Sequence, residues 1–221
     1  MMSVLTFCVF LPVFALMGRS LVRQASGFIR ETEGVAPTHL PLSSFLVLLF
    51  AVLASVVATR GLSLCLPWHV VLRDLILLGW CVLLTQLDLA RQWLPLRFTN
   101  SLLFSGLLFS LLSQSGISTL MAISDGLAMF GVIFLFRLWA NRHGRERFGL
   151  GDVYLLTGLS VWLTLPTAAV IALAALGLIL LQQLSSMVGL LSKQQEIPFA
   201  PYLCLCLSVA ILAQRFPLST G

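Results

Sequence analysis

The sequence predicts an all-α, polytopic membrane protein of about eight transmembrane helices with its N-terminus outside. Three observations carry this prediction. Hydrophobic residues make up 59% of the chain and charged residues only 10%, against roughly 25% charge in a soluble domain. Apolar runs of near-membrane length follow one another with few polar residues between them, and the mean hydropathy is +1.02. Lysine and arginine, finally, fall almost entirely in alternate connections.

With about 20 apolar residues per span, the 221 residues accommodate spans at 3–18, 42–59, 74–89, 99–114, 119–139, 152–165, 167–189 and 199–215. They leave no room for a separate soluble domain, so residues 1–221 are expected to form a single integral membrane domain. The first run lacks the basic start of a secretory signal and ends in Gly18-Arg19, which reads as a retained span. The run 74–89 closes on Asp88. The run 99–114 is short enough to be re-entrant or strongly coupled to a neighbour. Asp125 lies toward the outer end of 119–139. Gly149 and Gly151 introduce 152–165, Pro166 separates it from 167–189, and 199–215 holds Cys204 and Cys206. Trp68, Trp93 and Trp139 fall where interfacial anchors belong, whereas Trp80 and Trp162 fit packing.

Orientation follows from the basic residues, which short loops retain on the cytoplasmic side. With the N-terminus outside, the inner segments hold Arg19, Arg23, Arg30, Arg91, Arg97, Arg137, Arg142, Arg145, Arg147 and Lys193, ten of the thirteen. Only Arg60, Arg73 and Arg215 lie outside. Asp88 and Asp152 then both fall at the cytoplasmic edge. The net charge of +5 is mostly this bias and calls for no nucleic-acid partner. Residues 142–147 read as a positive loop beside anionic lipid headgroups.

The five cysteines (Cys8, Cys65, Cys81, Cys204, Cys206) contain no C-x-x-C pair, and His39, His69 and His143 lie in three different loops. No metal site, disulfide framework or cofactor is expected from them. Cys204 and Cys206, two apart on a helix, point to different faces and suit packing or lipid. No base is placed to make any cysteine a nucleophile.

The aspartates carry the chemistry. Asp152, in Phe148-Gly149-Leu150-Gly151-Asp152, has a structural reading as a helix N-cap. Asp88 has none: it sits near a helix C-terminus, where the macrodipole disfavours an anion, and deeper burial costs on the order of 2.5–3.5 kcal/mol. Asp125, in Ser124-Asp125-Gly126, fits a local capping or hydrogen-bonding role. Two carboxyls that share a site cannot both ionise cheaply, so one keeps a proton while the other takes one from water. These are the acid and base of peptide hydrolysis without a covalent intermediate. Gly149 and Gly151, lacking side chains, permit a close backbone approach beside Asp152.

Gly149-Leu150-Gly151-Asp152-Val153-Tyr154-Leu155-Leu156, opening a span that contains Val161-Trp162-Leu163, resembles the G-x-G-D motif of the type IV prepilin peptidases, polytopic aspartyl proteases. Asp88-Leu89-Ala90-Arg91-Gln92-Trp93-Leu94-Pro95-Leu96-Arg97-Phe98-Thr99-Asn100 is similar to the family's first-aspartate motif. Glu196-Ile197-Pro198-Phe199-Ala200-Pro201-Tyr202-Leu203 resembles its P-F-G-P entry to the last helix. Three departures accompany these: Leu96 where members often carry aspartate, Tyr154 in place of lysine, and Ala200 in place of glycine. The resemblance implies Asp88 and Asp152 as the catalytic pair, with Gly149, Gly151, Pro95, Pro198 and Pro201 binding substrate or shaping the site. It further implies a prepilin or pseudopilin substrate, cut before its hydrophobic helix at the cytoplasmic face of the bacterial inner membrane. Bifunctional relatives carry a C-x-x-C domain for N-methylation between the first two spans. Residues 19–41 hold no cysteine, so peptidase activity without methyltransferase activity is expected.

Two other classes stay open on the residues alone. A small proton- or cation-coupled transporter would hold its carboxylates near the bilayer midplane, whereas these two fall at one edge. A non-catalytic component of a pilus or secretion assembly is the third reading, to which Leu96 and Tyr154 are the only pointers.

Overall fold

The computed structural model describes residues 2–33, 42–112, 117–142, 148–187 and 198–215. Eight α-helices run through them: α1 (Met2–Glu33), α2 (Ser43–Ser63), α3 (Trp68–Arg91), α4 (Leu96–Ser110), α5 (Thr119–Ala140), α6 (Leu150–Trp162), α7 (Leu165–Met187) and α8 (Ala200–Arg215). All eight expected runs are helical, in the expected order. Five helices are long and apolar enough to cross a membrane: Val4–Thr32, Ser43–Ser63, Trp68–Arg91, Thr119–Ala140 and Leu165–Ser186. Helices α4, α6 and α8 have 15, 13 and 16 residues, roughly 20–24 Å of helix against about 30 Å of hydrocarbon.

Several boundaries differ from the sequence expectation, each for a local reason. Helix α1 continues fifteen residues past Gly18, because an apolar stripe begun at Phe14 persists among the polar residues, with Ala25 and Ile29 buried. Helix α3 begins at Trp68 rather than at residue 74, because the Pro67 carbonyl accepts from Val70 N at 3.0 Å and starts the helix there. Pro166 does not separate two helices; it lies in the first turn of α7, where its missing N–H goes unneeded. Residues 113–114 and 188–189, expected at the ends of two spans, lie outside the described residues.

The chain divides into two compact units. The first comprises residues 1–91 and 204–221, and in it α1, α2 and α3 pack on one another. Glycines permit the contact: the position a Cβ would take on Gly18 is 3.1 Å from the Phe50 ring, and Gly61 receives Val71 in the same manner. Helix α2 ends on a left-handed Cys65 (φ 53° being that of Leu42 at its start, 50° at Cys65). Leu66 N there donates to Gly61 O at 2.9 Å and Cys65 N to Leu62 O at 3.2 Å, the paired bonds that satisfy terminal carbonyls. The buried Cys81 and Cys204 thiols hydrogen-bond to each other, consistent with a packing role for Cys204.

The second unit comprises residues 92–203. Helix α6 is its axis, packed on α4, α5 and α7, and from Val153 to Trp162 only Tyr154 escapes full burial. Being enclosed by neighbours, so short a helix need not match the bilayer by itself. Small residues admit the close packing. A Cβ on Gly106 would lie 2.8 Å from Trp162 Cδ1 and 2.9 Å from Val161 Cγ1, and one on Gly158 3.0 Å from Leu102 Cδ2. Trp162 Nε1 donates to Leu102 O at 2.9 Å, and its ring lies 5.1 Å from that of Phe109.

This packing gives a direct comparison between two glycines. Gly106→Val should lower stability by about 1–3 kcal/mol through overpacking, whereas Gly131→Ala, with nothing within 4 Å of the added methyl, should be neutral or slightly stabilising. Thermal unfolding of the two variants in detergent checks the contrast.

Candidate active site

Asp88 lies in the last turn of α3, in the first unit, and is 5% exposed. Its helical neighbours Thr85, Gln86 and Leu87 are buried as well. Helix α3 stops three residues later, and Gln92 turns the chain with a φ of 52°, a conformation that costs an L-residue about 1–2 kcal/mol. Trp93 is exposed, while Leu94 and Pro95 are buried. Pro95 is the N-cap of α4 in extended conformation, and its carbonyl accepts from Phe98 N at 3.0 Å and Thr99 N at 3.3 Å.

Asp152 belongs to the second unit, near the start of α6. The approach to this helix is fixed by a residue that sequence reasoning passed over. Asn141, at the end of α5, donates from Nδ2 to Phe148 O at 3.1 Å and accepts from Phe148 N on Oδ1 at 3.2 Å. Phe148 also meets Phe136 edge-on, with centroids 5.5 Å apart. Gly149 is then the N-cap, so Asp152 is not the cap: it is the third residue of the helix, half-buried in the first turn. A carboxylate at that position lies in the positive field of the helix N-terminus.

The two motif glycines have separate uses. Gly149 has an ordinary φ of −72°, so any residue could adopt its backbone. A Cβ there, however, would lie 3.3 Å from Asp152 Oδ2, and its absence keeps space open beside the carboxylate. Gly151 is inside the helix, and a Cβ on it would lie 2.8 Å from both Leu94 Cβ and Leu94 O. The backbone that occupies the space beside Gly151 is therefore that of the Leu94-Pro95 turn.

The third motif opens α8. Phe199 and Ala200 are buried, Ala200 completely, which explains why only a small residue fits there. Leu203 N donates to Phe199 O at 3.2 Å. Pro201 lies in the first helical turn, and both it and Pro198 are half-buried. Tyr202 donates its hydroxyl to Gln182 Oε1 of α7. Glu196 and Ile197 of this motif lie outside the described residues, as do residues 143–147 of the basic loop. Of the departures from the family pattern, Leu96 is exposed, and Tyr154 packs its ring on Phe130 with centroids 5.8 Å apart.

Two other acids of the described residues, Asp125 and Asp74, have structural partners. Asp125 Oδ2 accepts from Leu165 N at 2.9 Å, so α5 caps the start of α7. The expected bond was local; the observed one crosses forty residues. Asp74 was not anticipated as an internal acid, because the sequence placed it at the beginning of its span. It is 1% exposed inside α3 and accepts from Arg73 Nε and Nη2 on Oδ1, both at 3.2 Å. Its spacing of fourteen residues from Asp88 was the available signal, since two groups so spaced share a helix face.

Residues 75–191 match the type IV leader peptidase family, a stretch that contains Asp88 and the whole Gly149–Asp152 motif. The chain belongs to the type IV leader peptidase family. Among curated relatives of this family member, the prepilin leader peptidase/N-methyltransferase of Aeromonas salmonicida (strain A449) is 30% identical over 197 residues, covering 84% of this chain and 62% of the relative. A type 4 prepilin-like proteins leader peptide-processing enzyme of Escherichia coli O78:H11 is 32% identical over 150 residues, 66% of this chain and 53% of the relative. The corresponding protein of Dickeya chrysanthemi, also a prepilin leader peptidase/N-methyltransferase, is 34% identical over 180 residues, 77% and 58%. The chain thus spans about three fifths of the length of such relatives. No solved structure matches it.

The glycine and asparagine contacts generate a prediction about the family motif. Gly151→Ala should destabilise the protein by about 1–3 kcal/mol, because the new methyl must displace backbone. Asn141→Ala, which removes two bonds to Phe148, should cost a similar amount. Hydrogen exchange at the first turn of α6 should rise in both, and unchanged protection there would contradict the assignment.

Proposed function

We propose that the chain is an intramembrane aspartyl endopeptidase that removes the leader of type IV prepilins or pseudopilins, without N-methylation. The observation that carries the reading is the placement of two half-buried or buried acids at helix ends of opposite polarity, Asp88 at the end of α3 and Asp152 in the first turn of α6, inside the matched family region. The names of the relatives support the substrate class. Connectivity supports the pairing: Leu94, against whose backbone Gly151 packs, follows Asp88 by six residues.

In this reading Asp152, favoured as the anion by the α6 terminus, takes a proton from water as the oxygen attacks the scissile carbonyl. Asp88, holding the shared proton at the negative end of α3, hydrogen-bonds to that carbonyl and stabilises the charge that develops on it. Collapse of the tetrahedral adduct breaks the C–N bond, and the proton taken from water passes to the leaving amine. No covalent enzyme intermediate forms. Gly149 leaves room beside the Asp152 carboxylate for an extended peptide, and Pro95, Pro198 and Pro201 shape the surrounding turns. An unfolded leader suits this chemistry, since a helical carbonyl is already hydrogen-bonded.

The count of basic residues supports an N-terminus outside, both acids at the cytoplasmic edge, and a multi-pass location in the bacterial inner membrane. The single-domain reading of residues 1–221 belongs to the same proposal, as does the missing methyltransferase function, which rests on the absence of cysteine from residues 19–41.

Co-expression with candidate prepilins, followed by mass spectrometry of the pilin N-terminus, tests the proposal. The wild type should remove the leader and leave an unmethylated N-terminus. Asp88→Asn and Asp152→Asn should each reduce cleavage on the order of 10²–10⁴-fold at equal protein level, while Asp74→Asn should still cleave. Survival of cleavage in either motif variant would sink the mechanism. The rate against pH should be bell-shaped, with both limbs belonging to the pair rather than to one residue.

A further inference from the structure

A cavity of about 430 Å³ lies in the first unit between α1 and the start of α2. Its polar side is made by Arg19 and Arg23 of α1 and by Ser43 and Ser44, the first two residues of α2. Val22 and Leu48 contribute to its apolar side. The two arginines are one helical turn apart and so share a face, with about 6 Å of rise between them. Among the described residues neither guanidinium is paired with a carboxylate.

The α2 end of the cavity is also positive, with no side-chain cap or first-turn acid among the described residues. Its N-cap is Leu42, in left-handed conformation. First-turn N–H groups and the helix dipole therefore add to the two guanidiniums. Two guanidiniums beside a helix start favour a net-anionic phosphate group over a zwitterionic or neutral one.

Length fixes the depth. Helix α1 has 32 residues, about 48 Å, and cannot lie wholly within about 30 Å of hydrocarbon. Its first charged residue is Arg19, so the helix leaves the apolar layer there, and the cavity sits at headgroup level with its apolar side toward the acyl chains.

We propose that this cavity binds the phosphate headgroup of an anionic phospholipid, held by Arg19 and Arg23 against the start of α2. The site repels a basic leader segment, so it is not a substrate groove. It stands apart from the peptidase reading, because the measurement below involves no proteolysis.

The test is native mass spectrometry of the full chain in detergent, titrated with phosphatidylglycerol or phosphatidylcholine. The wild type should retain one phosphatidylglycerol in strong preference to phosphatidylcholine. The double variant Arg19→Gln/Arg23→Gln should lose that preference by on the order of tenfold or more, whereas Arg30→Gln, which removes one positive charge from the same helix outside the cavity, should keep it. Ser44→Asp is the folding-safe variant: an acid there suits the helix start but occupies the anion's place, and it should also release the lipid. Retention unchanged in the double variant or in a folded Ser44→Asp protein would overturn the proposal, as would equal loss in Arg30→Gln. Inorganic phosphate that binds in an Arg19/Arg23-dependent manner, without any phosphatidylglycerol preference, would assign the cavity to a soluble anion and overturn the lipid assignment.

Discussion

The methyl group that Gly151 lacks is the space that the Leu94 backbone fills. That contact seats the first turn of α6 on the turn that begins α4, and Asp152 is the next residue along. Pro95 stiffens the same turn and starts α4 through its carbonyl, while Asn141 holds the other approach to α6 by bonding both backbone groups of Phe148. The acid is thereby fixed by backbone contacts on two sides. Side chains lining a wider cleft would hold it less rigidly, and positioning to within about half an ångström is what catalytic groups need.

Charge in an apolar layer imposes the second constraint. Each buried or half-buried aspartate of the described chain answers it in its own way. Asp125 spends its carboxylate on capping α7, and Asp74 lies against the neighbouring Arg73. Both roles are structural, the first across forty residues and the second between neighbours. Asp152 is placed in the positive field of a helix start, which stabilises an anion. Asp88 is at a helix end of the opposite sign, where a neutral acid is favoured. The proposed chemistry uses that asymmetry: one carboxyl ready to accept a proton, one ready to donate.

The order and number of helices were legible because apolar runs of this length have few alternatives in a membrane chain. The three motifs that resemble the family's were legible from residue type and spacing, and their described residues lie at helix starts or ends. What escaped was set by packing. The second half of α1 looked like a polar connection, since its buried residues are only Ala25 and Ile29 among arginines and glutamates. Asp74 was hidden by a helix start shifted six residues. Gly151 looked like a point of freedom or of substrate approach, and only the fold shows another segment of the same chain lying against it. Asn141 offered no signal beyond being a polar residue after a hydrophobic run.

The most direct test of the central claim is whether the two carboxyls meet. In a parent with Cys8, Cys65, Cys81, Cys204 and Cys206 replaced and cleavage retained, the pair Asp88→Cys/Asp152→Cys would be treated in native membranes with a short bis-methanethiosulfonate, from which each thiolate displaces a sulfinate to form a mixed disulfide. The account predicts an intramolecular crosslink as efficient as that of a Leu102→Cys/Gly158→Cys pair, two positions packed against each other within one compact unit. Efficient crosslinking of that control with none between positions 88 and 152 would contradict a shared site.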